Sequence, residues 1–238
     1  IRRPPRSTLF PYTSLFRSVS TGTTQRILEG YRINDYYLYP VHKGNGSLLN
    51  SDGTVNINGG PVDGMIRTQQ DMTWLQMMVD AGYIFQPSGG ISKSKIWYGD
   101  LIYADSNGDG IYGNSFDQTF TGKNASPSWN FGLNMNVAYN NFDMSMIWAG
   151  SAGMSYYWNE TYMNQSVVAL GKAVPTLVAD NHYFFDDSNP DNPANNIDGH
   201  YPRLKTTDPQ NTRASDFYLY DASYIKLKSL QLGYNIPE

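Results

Sequence analysis

The sequence contains no cysteine. Disulfide scaffolds, thiolate catalysis and cysteine-ligated metals are excluded, while the compartment stays open. Charge is sparse: Asp, Glu, Lys and Arg make up 16% of 238 residues, against about 25% in ordinary soluble domains. The net charge of −4 leaves no basic footprint, so no nucleic-acid partner is expected. The histidines, His42, His182 and His200, have no metal-ligand spacing. No apolar run reaches about 18 residues, which excludes a transmembrane helix. Strands of a membrane barrel carry no such run and stay open. Nor does a catalytic pattern stand out. Ala149 occupies the first glycine position of Ala149-Gly150-Ser151-Ala152-Gly153, so this is not a nucleophile elbow. Glu29, Glu160, Asp186, Asp187, Asp191 and Asp198 show no spacing that selects a pair for glycoside hydrolysis. An enzyme is not expected. What the chain has in excess is aromatic residues, at 14%.

The clearest pattern lies in residues 128–150. Trp129, Phe131, Leu133, Met135, Val137 and Tyr139 alternate with Asn130, Gly132, Asn134, Asn136 and Ala138. A period of two makes one face of a strand apolar. Asn140-Asn141 interrupts the pattern and suits a hairpin turn, because Asn tolerates positive φ. Phe142, Met144, Met146 and Trp148 then alternate with Asp143, Ser145 and Ala149. Such a hairpin packs on a second sheet in a soluble sandwich, or faces lipid in an outer-membrane barrel. Three features favour lipid, making Trp129, Phe131, Leu133, Met135, Val137, Tyr139, Phe142, Met144, Met146 and Trp148 lipid-facing candidates. The strands are about ten residues long, enough for a tilted strand to cross the hydrocarbon. Aromatic residues stand at both ends of the apolar faces, as interfacial girdles do. The opposite face is rich in Asn, which a wet lumen accepts and a dry core does not.

Elsewhere the pattern is mixed. Residues 1–18 resemble translated sequencing-adapter DNA and are set aside as an artefact; the expectation is that an N-terminal part is missing. Ile27, Tyr31, Ile33, Tyr37 and Tyr39 predict one strand over residues 25–39. Residues 42–64 read as loop or short hairpin. Residues 68–81 predict the single short helix: Thr68 caps, Asp71 completes a capping box, and Trp74, Met77, Met78 and Ala81 form its packing stripe. In Asp105-Ser106-Asn107-Gly108-Asp109-Gly110, oxygen donors at positions 1, 3 and 5 precede Gly at 6, as in a Ca²⁺-binding loop. Ile111 would add its carbonyl and Asp117 a late carboxylate, since Phe116 stands at position 12. An Asx- and Gly-rich turn explains the same residues without metal, and both readings stay open. Residues 151–214 form a long aperiodic segment, extracellular if the chain is a barrel. Within it, Tyr156, Tyr157, Trp158 and Tyr162 could stack on a substrate or simply pack. Residues 216–237 return to strand. Ile225 and Leu227 are out of phase with Leu230, Leu232, Tyr234 and Ile236, which predicts a β-bulge near Ser229. Lys226 and Lys228 are expected on the lumen side.

Four stretches carry a family resemblance: GDLIYADSNGDG (99–110), SPSWNFGLNMNVAYNNFDMSMIWAG (126–150), YPRL (201–204) and SDFYLYDASYIKLKSLQLGYNIP (215–237). In this order they resemble the C-terminal part of SusC/RagA-type TonB-linked outer-membrane proteins. The resemblance implies an all-β fold: an antiparallel meander within a transmembrane barrel of about 22 strands, with long extracellular loops and one short helix. Residues 19–238 would be a partial barrel domain, truncated at both ends. It implies an active importer of oligosaccharides or peptides in the outer membrane of a Gram-negative, Bacteroidota-like cell. Its partners would be a SusD-like surface lipoprotein, outer-membrane lipid and, through the absent N-terminal region, the TonB–ExbB–ExbD complex. No cofactor is implied beyond the open question of Ca²⁺. The competing reading is a secreted Ca²⁺-dependent carbohydrate-binding or adhesion β-domain. The two differ in whether the aromatic faces are covered by a second layer of the chain.

Overall fold

The computed structural model describes residues 20–21, 24–28, 30–158, 173–205 and 209–237, and strands dominate it. In order they are β1 (Ser20–Thr21), β2 (Gln25–Ile27), β3 (Asp35–Leu38), helix α1 (Gln69–Asp80), β4 (Ile84–Phe85), β5 (Ile111–Tyr112) and β6 (Thr119–Asn124). There follow β7 (Trp129–Tyr139), β8 (Phe142–Ala152), β9 (Ser155–Tyr157), helix α2 (Thr176–Asn181), a 3-10 turn (Asp216–Tyr218), β10 (Leu219–Asp221) and β11 (Tyr224–Tyr234). The fold is β-rich: the ladders β1–β2, β2–β3, β7–β8, β8–β11 and β9–β10 are antiparallel, and the short pair of β4 with β5 is parallel. The described residues fall into two units: those within residues 1–36, 120–157 and 219–238, and those within residues 37–119 and 158–218.

The first unit is built on the predicted hairpin. β7 pairs with β8 from Trp129↔Ala152 to Tyr139↔Phe142, and Asn140 at φ 52° makes the turn. β11 adds to the other edge of β8, giving the order β11-β8-β7. Its register slips between Leu227 and Ser229, so Lys228 is the extra residue of the expected bulge. The slip restores both phases: Leu227 lies opposite Trp148 and Leu230 opposite Met146, on one face. Lys226 falls opposite Ala149 on the other face, as expected, whereas Lys228 has no β8 partner. The single strand expected over residues 25–39 is instead two. β2 and β3 pair antiparallel, Gln25 opposite Tyr36. The chain reverses between them through Gly30 at φ 89° and Asn34 at φ 62°, left-handed conformations that a continuous strand cannot contain.

The second unit holds the core. α1 begins as the capping box dictates. Asp71 N–H donates to Thr68 Oγ1 at 3.2 Å, and Thr68 N–H to Asp71 Oδ2 at 2.9 Å. The helix ends before Gly82, at φ 96°. Its buried stripe is Met72, Trp74, Leu75 and Met78: Trp74 and Met78 are buried as expected, whereas Met77 is half-buried and Ala81 exposed. Met72 and Leu75 join the stripe because they share one core cluster with Ile66, Phe85, Ile96, Ile102 and Tyr112. Trp74 is fully buried and donates Nε1–H to the Asn56 carbonyl at 2.7 Å. Gly60 has to be glycine, since a Cβ there would lie 2.4 Å from the Trp74 ring. A second cluster joins Tyr39, Val41, Met65, Leu101, Tyr103 and Tyr183. Between these stretches the carboxylate of Asp100, wholly buried, accepts from Arg203 Nε at 2.8 Å and Nη2 at 2.7 Å, Lys205 Nζ at 3.1 Å and Asn211 Nδ2 at 2.9 Å. The aperiodic segment also holds α2, six residues with Val178 buried, a second helix that the sequence pattern did not announce.

Candidate membrane-facing surface

Register turns three separate alternations into one surface. On one face of β7-β8-β11 the cross-strand rows run Tyr139–Phe142–Tyr234, Val137–Met144–Leu232, Met135–Met146–Leu230 and Leu133–Trp148–Leu227. Beyond them Phe131 and Ile225 flank Gly150. Gly150 is the gap into which the Phe131 ring folds, and a Cβ there would sit 2.4 Å from it. Phe142 and Tyr234 meet with ring centroids 4.6 Å apart.

The opposite face is polar. Its rows are Asn130–Ser151–Tyr224, Gly132–Ala149–Lys226, Asn136–Ser145–Gln231 and Ala138–Asp143–Gly233, with Ile147 beside Asn134 as the apolar exception. Ser151 Oγ donates to Asn130 Oδ1 at 2.6 Å. The Asp143 carboxylate lies over Gly233, where a Cβ would come within 2.3 Å of it.

Every residue of β7 is exposed, on both faces. Trp129 keeps 73% of its surface open, Leu133 56% and, on β11, Leu232 74%. Met144, Met146 and Trp148, in the middle strand, are half-buried by their neighbours alone. A soluble sandwich would cover one of these faces. A contiguous apolar patch of this size marks an interaction surface. Among the described residues, no helix is long and apolar enough to cross a membrane. The members contributed by β11 (Ile225, Leu227, Leu230, Leu232 and Tyr234) were not among the lipid-facing candidates. Their alternation is visible in the sequence, but only the bulge shows that both phases share this face.

The other predicted sites lie elsewhere. In the Asp105 loop, Asp105 Oδ1 accepts from the N–H of Gly108 at 2.7 Å, and its Oδ2 from Gly110 at 2.8 Å. Asp109 Oδ1 accepts from the N–H of Ile111 at 2.8 Å, and its Oδ2 from the amides of Asn107 at 2.9 Å and Asn114 at 2.7 Å. The Asn107 amide, reinforced by the Ile111 N–H, holds the Asp109 carboxyl below its usual pKa. Asp117, fully buried, accepts from Ser106 N–H at 2.7 Å and Asn114 N–H at 2.8 Å. The structure thus brings Asp105, Asn107, Asp109, Ile111 and Asp117 into one loop, and a cation entering it would have to displace N–H donors. The aromatic candidates are divided. Tyr156 is exposed on β9, and Tyr157 packs near Tyr36 at 6.1 Å in the same unit. Trp158, in the second unit, packs on Val178 and Tyr201. Tyr162 lies outside the described residues.

No protein-family model matches the chain. Two curated proteins of Formosa agariphila do. TonB-dependent receptor P3 is 30% identical over 140 residues, 59% of this chain and 12% of the relative. TonB-dependent receptor P26 is 30% identical over 150 residues, 58% of this chain and 13% of the relative. Over more than half its length, the chain is similar to TonB-dependent receptors. It spans about an eighth of the length of these relatives.

Proposed function

We propose that this chain is a segment of the barrel wall of a TonB-dependent outer-membrane receptor, of the SusC/RagA type. The observation that carries the reading is the three-strand ribbon, apolar on one face and amide-rich on the other, together with the likeness to two receptors. Its dimensions suit the bilayer. Ten steps from Trp129 to Tyr139 at ~3.4 Å, tilted by about 45°, span about 24 Å, close to the ~25 Å apolar band of such barrels. Tyr139, Phe142 and Tyr234 form one aromatic girdle at the turn, and Trp129, Phe131 and Trp148 the other. The apolar rows face acyl chains, and the Asn rows face water inside a barrel of about 22 strands. The turn at Asn140 is periplasmic, because such turns are short; residues 37–119 and 158–218 are long extracellular connections.

On this reading the protein imports oligosaccharides or peptides without transforming them. A SusD-like lipoprotein caps the extracellular side, and the TonB–ExbB–ExbD complex supplies energy. The test is to recover the uninterrupted gene, express its product and reconstitute it into vesicles containing brominated phosphatidylcholine. The expected result is a gene with upstream signal-peptide and plug coding and a neighbouring lipoprotein gene, and a product in which bromine quenches Trp129 and Trp148. A soluble secreted product with no such quenching would overturn the proposal.

A further inference from the structure

The second unit contains a cleft of about 340 Å³ that the membrane reading does not use. Trp97 and Tyr98 form one wall, their rings 5.4 Å apart and nearly perpendicular. Phe184 and Phe185 form another, 39% and 36% exposed. Lys93 and Asp187 stand among them as an ion pair at 2.5 Å, with the Lys93 side chain 69% exposed and that of Asp187 33%.

We infer that this cleft binds a sugar ring of the transported ligand, and so selects an oligosaccharide over a peptide. The inference rests on the receptor reading for its place outside the membrane. The cleft's volume lies at the small-ligand end of the range for binding pockets, which suits a ring or two and excludes a helix. Ring faces at different angles match the C–H faces of a pyranose. An ammonium and a carboxylate side by side match vicinal hydroxyls, each of which both donates and accepts. Because the Lys93 ammonium is largely exposed and the Asp187 carboxylate partly so, hydroxyls can part the pair without stranding a fully buried charge. An extended peptide would instead need free backbone donors along a strand edge. Here the N–H of Tyr183 is given to Tyr201 O at 2.7 Å and that of Phe184 to Asn196 O at 3.1 Å.

The experiment titrates the full 238-residue chain, in micelles of lauryldimethylamine oxide, with maltohexaose, cellohexaose, xylohexaose and laminarihexaose by calorimetry. The expected result is saturable binding of at least one. Phe185→Ala and Asp187→Asn each weaken it about tenfold, and Ile57→Ala, at an exposed residue of the same unit outside the cleft, leaves it unchanged. Heat from none of the four, or binding that neither cleft substitution alters, would overturn the inference. Quenching of Trp129 and Trp148 by a brominated detergent in the same sample reads the membrane-facing surface separately. Sugar binding lost with quenching retained therefore sinks the cleft proposal alone.

Discussion

Met135 and Asn136 are consecutive residues that the ribbon places on opposite faces, and arginine at each should have opposite consequences. Met135 belongs to the row Met135–Met146–Leu230. At ~3.4 Å per residue and a tilt of about 45°, it lies about 10 Å from the girdle at Tyr139, close to the bilayer midplane. Arginine at that depth on a lipid-facing strand costs about 2–4 kcal/mol, a shift of about 30- to 1,000-fold in the folding equilibrium. Asn136→Arg, toward water, should cost within about 0.5 kcal/mol. In a soluble domain the two would be alike, because Met135 is 38% exposed and an arginine there could swing its head into water. The assay is reversible urea unfolding of the uninterrupted gene's product from phosphatidylcholine vesicles, followed by tryptophan emission. A difference between the two variants below about 1 kcal/mol, or one of reversed sign, would refute the two-faced ribbon.

Three further outcomes follow from the second unit. Asp100→Asn leaves the Arg203 guanidinium, 16% exposed, without its carboxylate, which should cost about 3–5 kcal/mol; a thermal melt displaced by less than a degree would contradict this. His42 is buried against Trp74 and bonded to Gly59 O at 2.8 Å, and burial lowers its pKa despite that bond. The unfolded chain therefore takes up the proton first. Stability should be full above about pH 6.5 and fall as pH drops from there toward the depressed native value. His42→Gln should flatten that slope in melts between pH 7.5 and 5. In the Asp105 loop every carboxylate already accepts N–H bonds, so Ca²⁺ is expected to bind weakly, with Kd near 10⁻³ M. Calorimetry showing tight binding abolished by Asp109→Ala would show that the loop yields its hydrogen bonds to the ion.

Much of this was legible in the chain itself, wherever the physics is local. The alternation around Asn140 specifies both long strands, because side chains of a strand point in turn to opposite faces. Thr68 and Asp71 specify where α1 starts, because a helix leaves its first N–H groups for nearby oxygens to satisfy. The phase switch near Ser229 announces a bulge, because the pleat admits a phase change only by adding a residue. What lay beyond reach depends on residues far apart in sequence. The buried stripe of α1 takes in Met72 and Leu75, since the groups that share its core cluster come from residues 66, 85, 96, 102 and 112. Asp100 found Arg203 and Lys205 across about a hundred positions, and the cleft joins Trp97 to Phe185 across nearly as many. Local pattern decides which way a side chain points; only long-range pairing decides what it meets there.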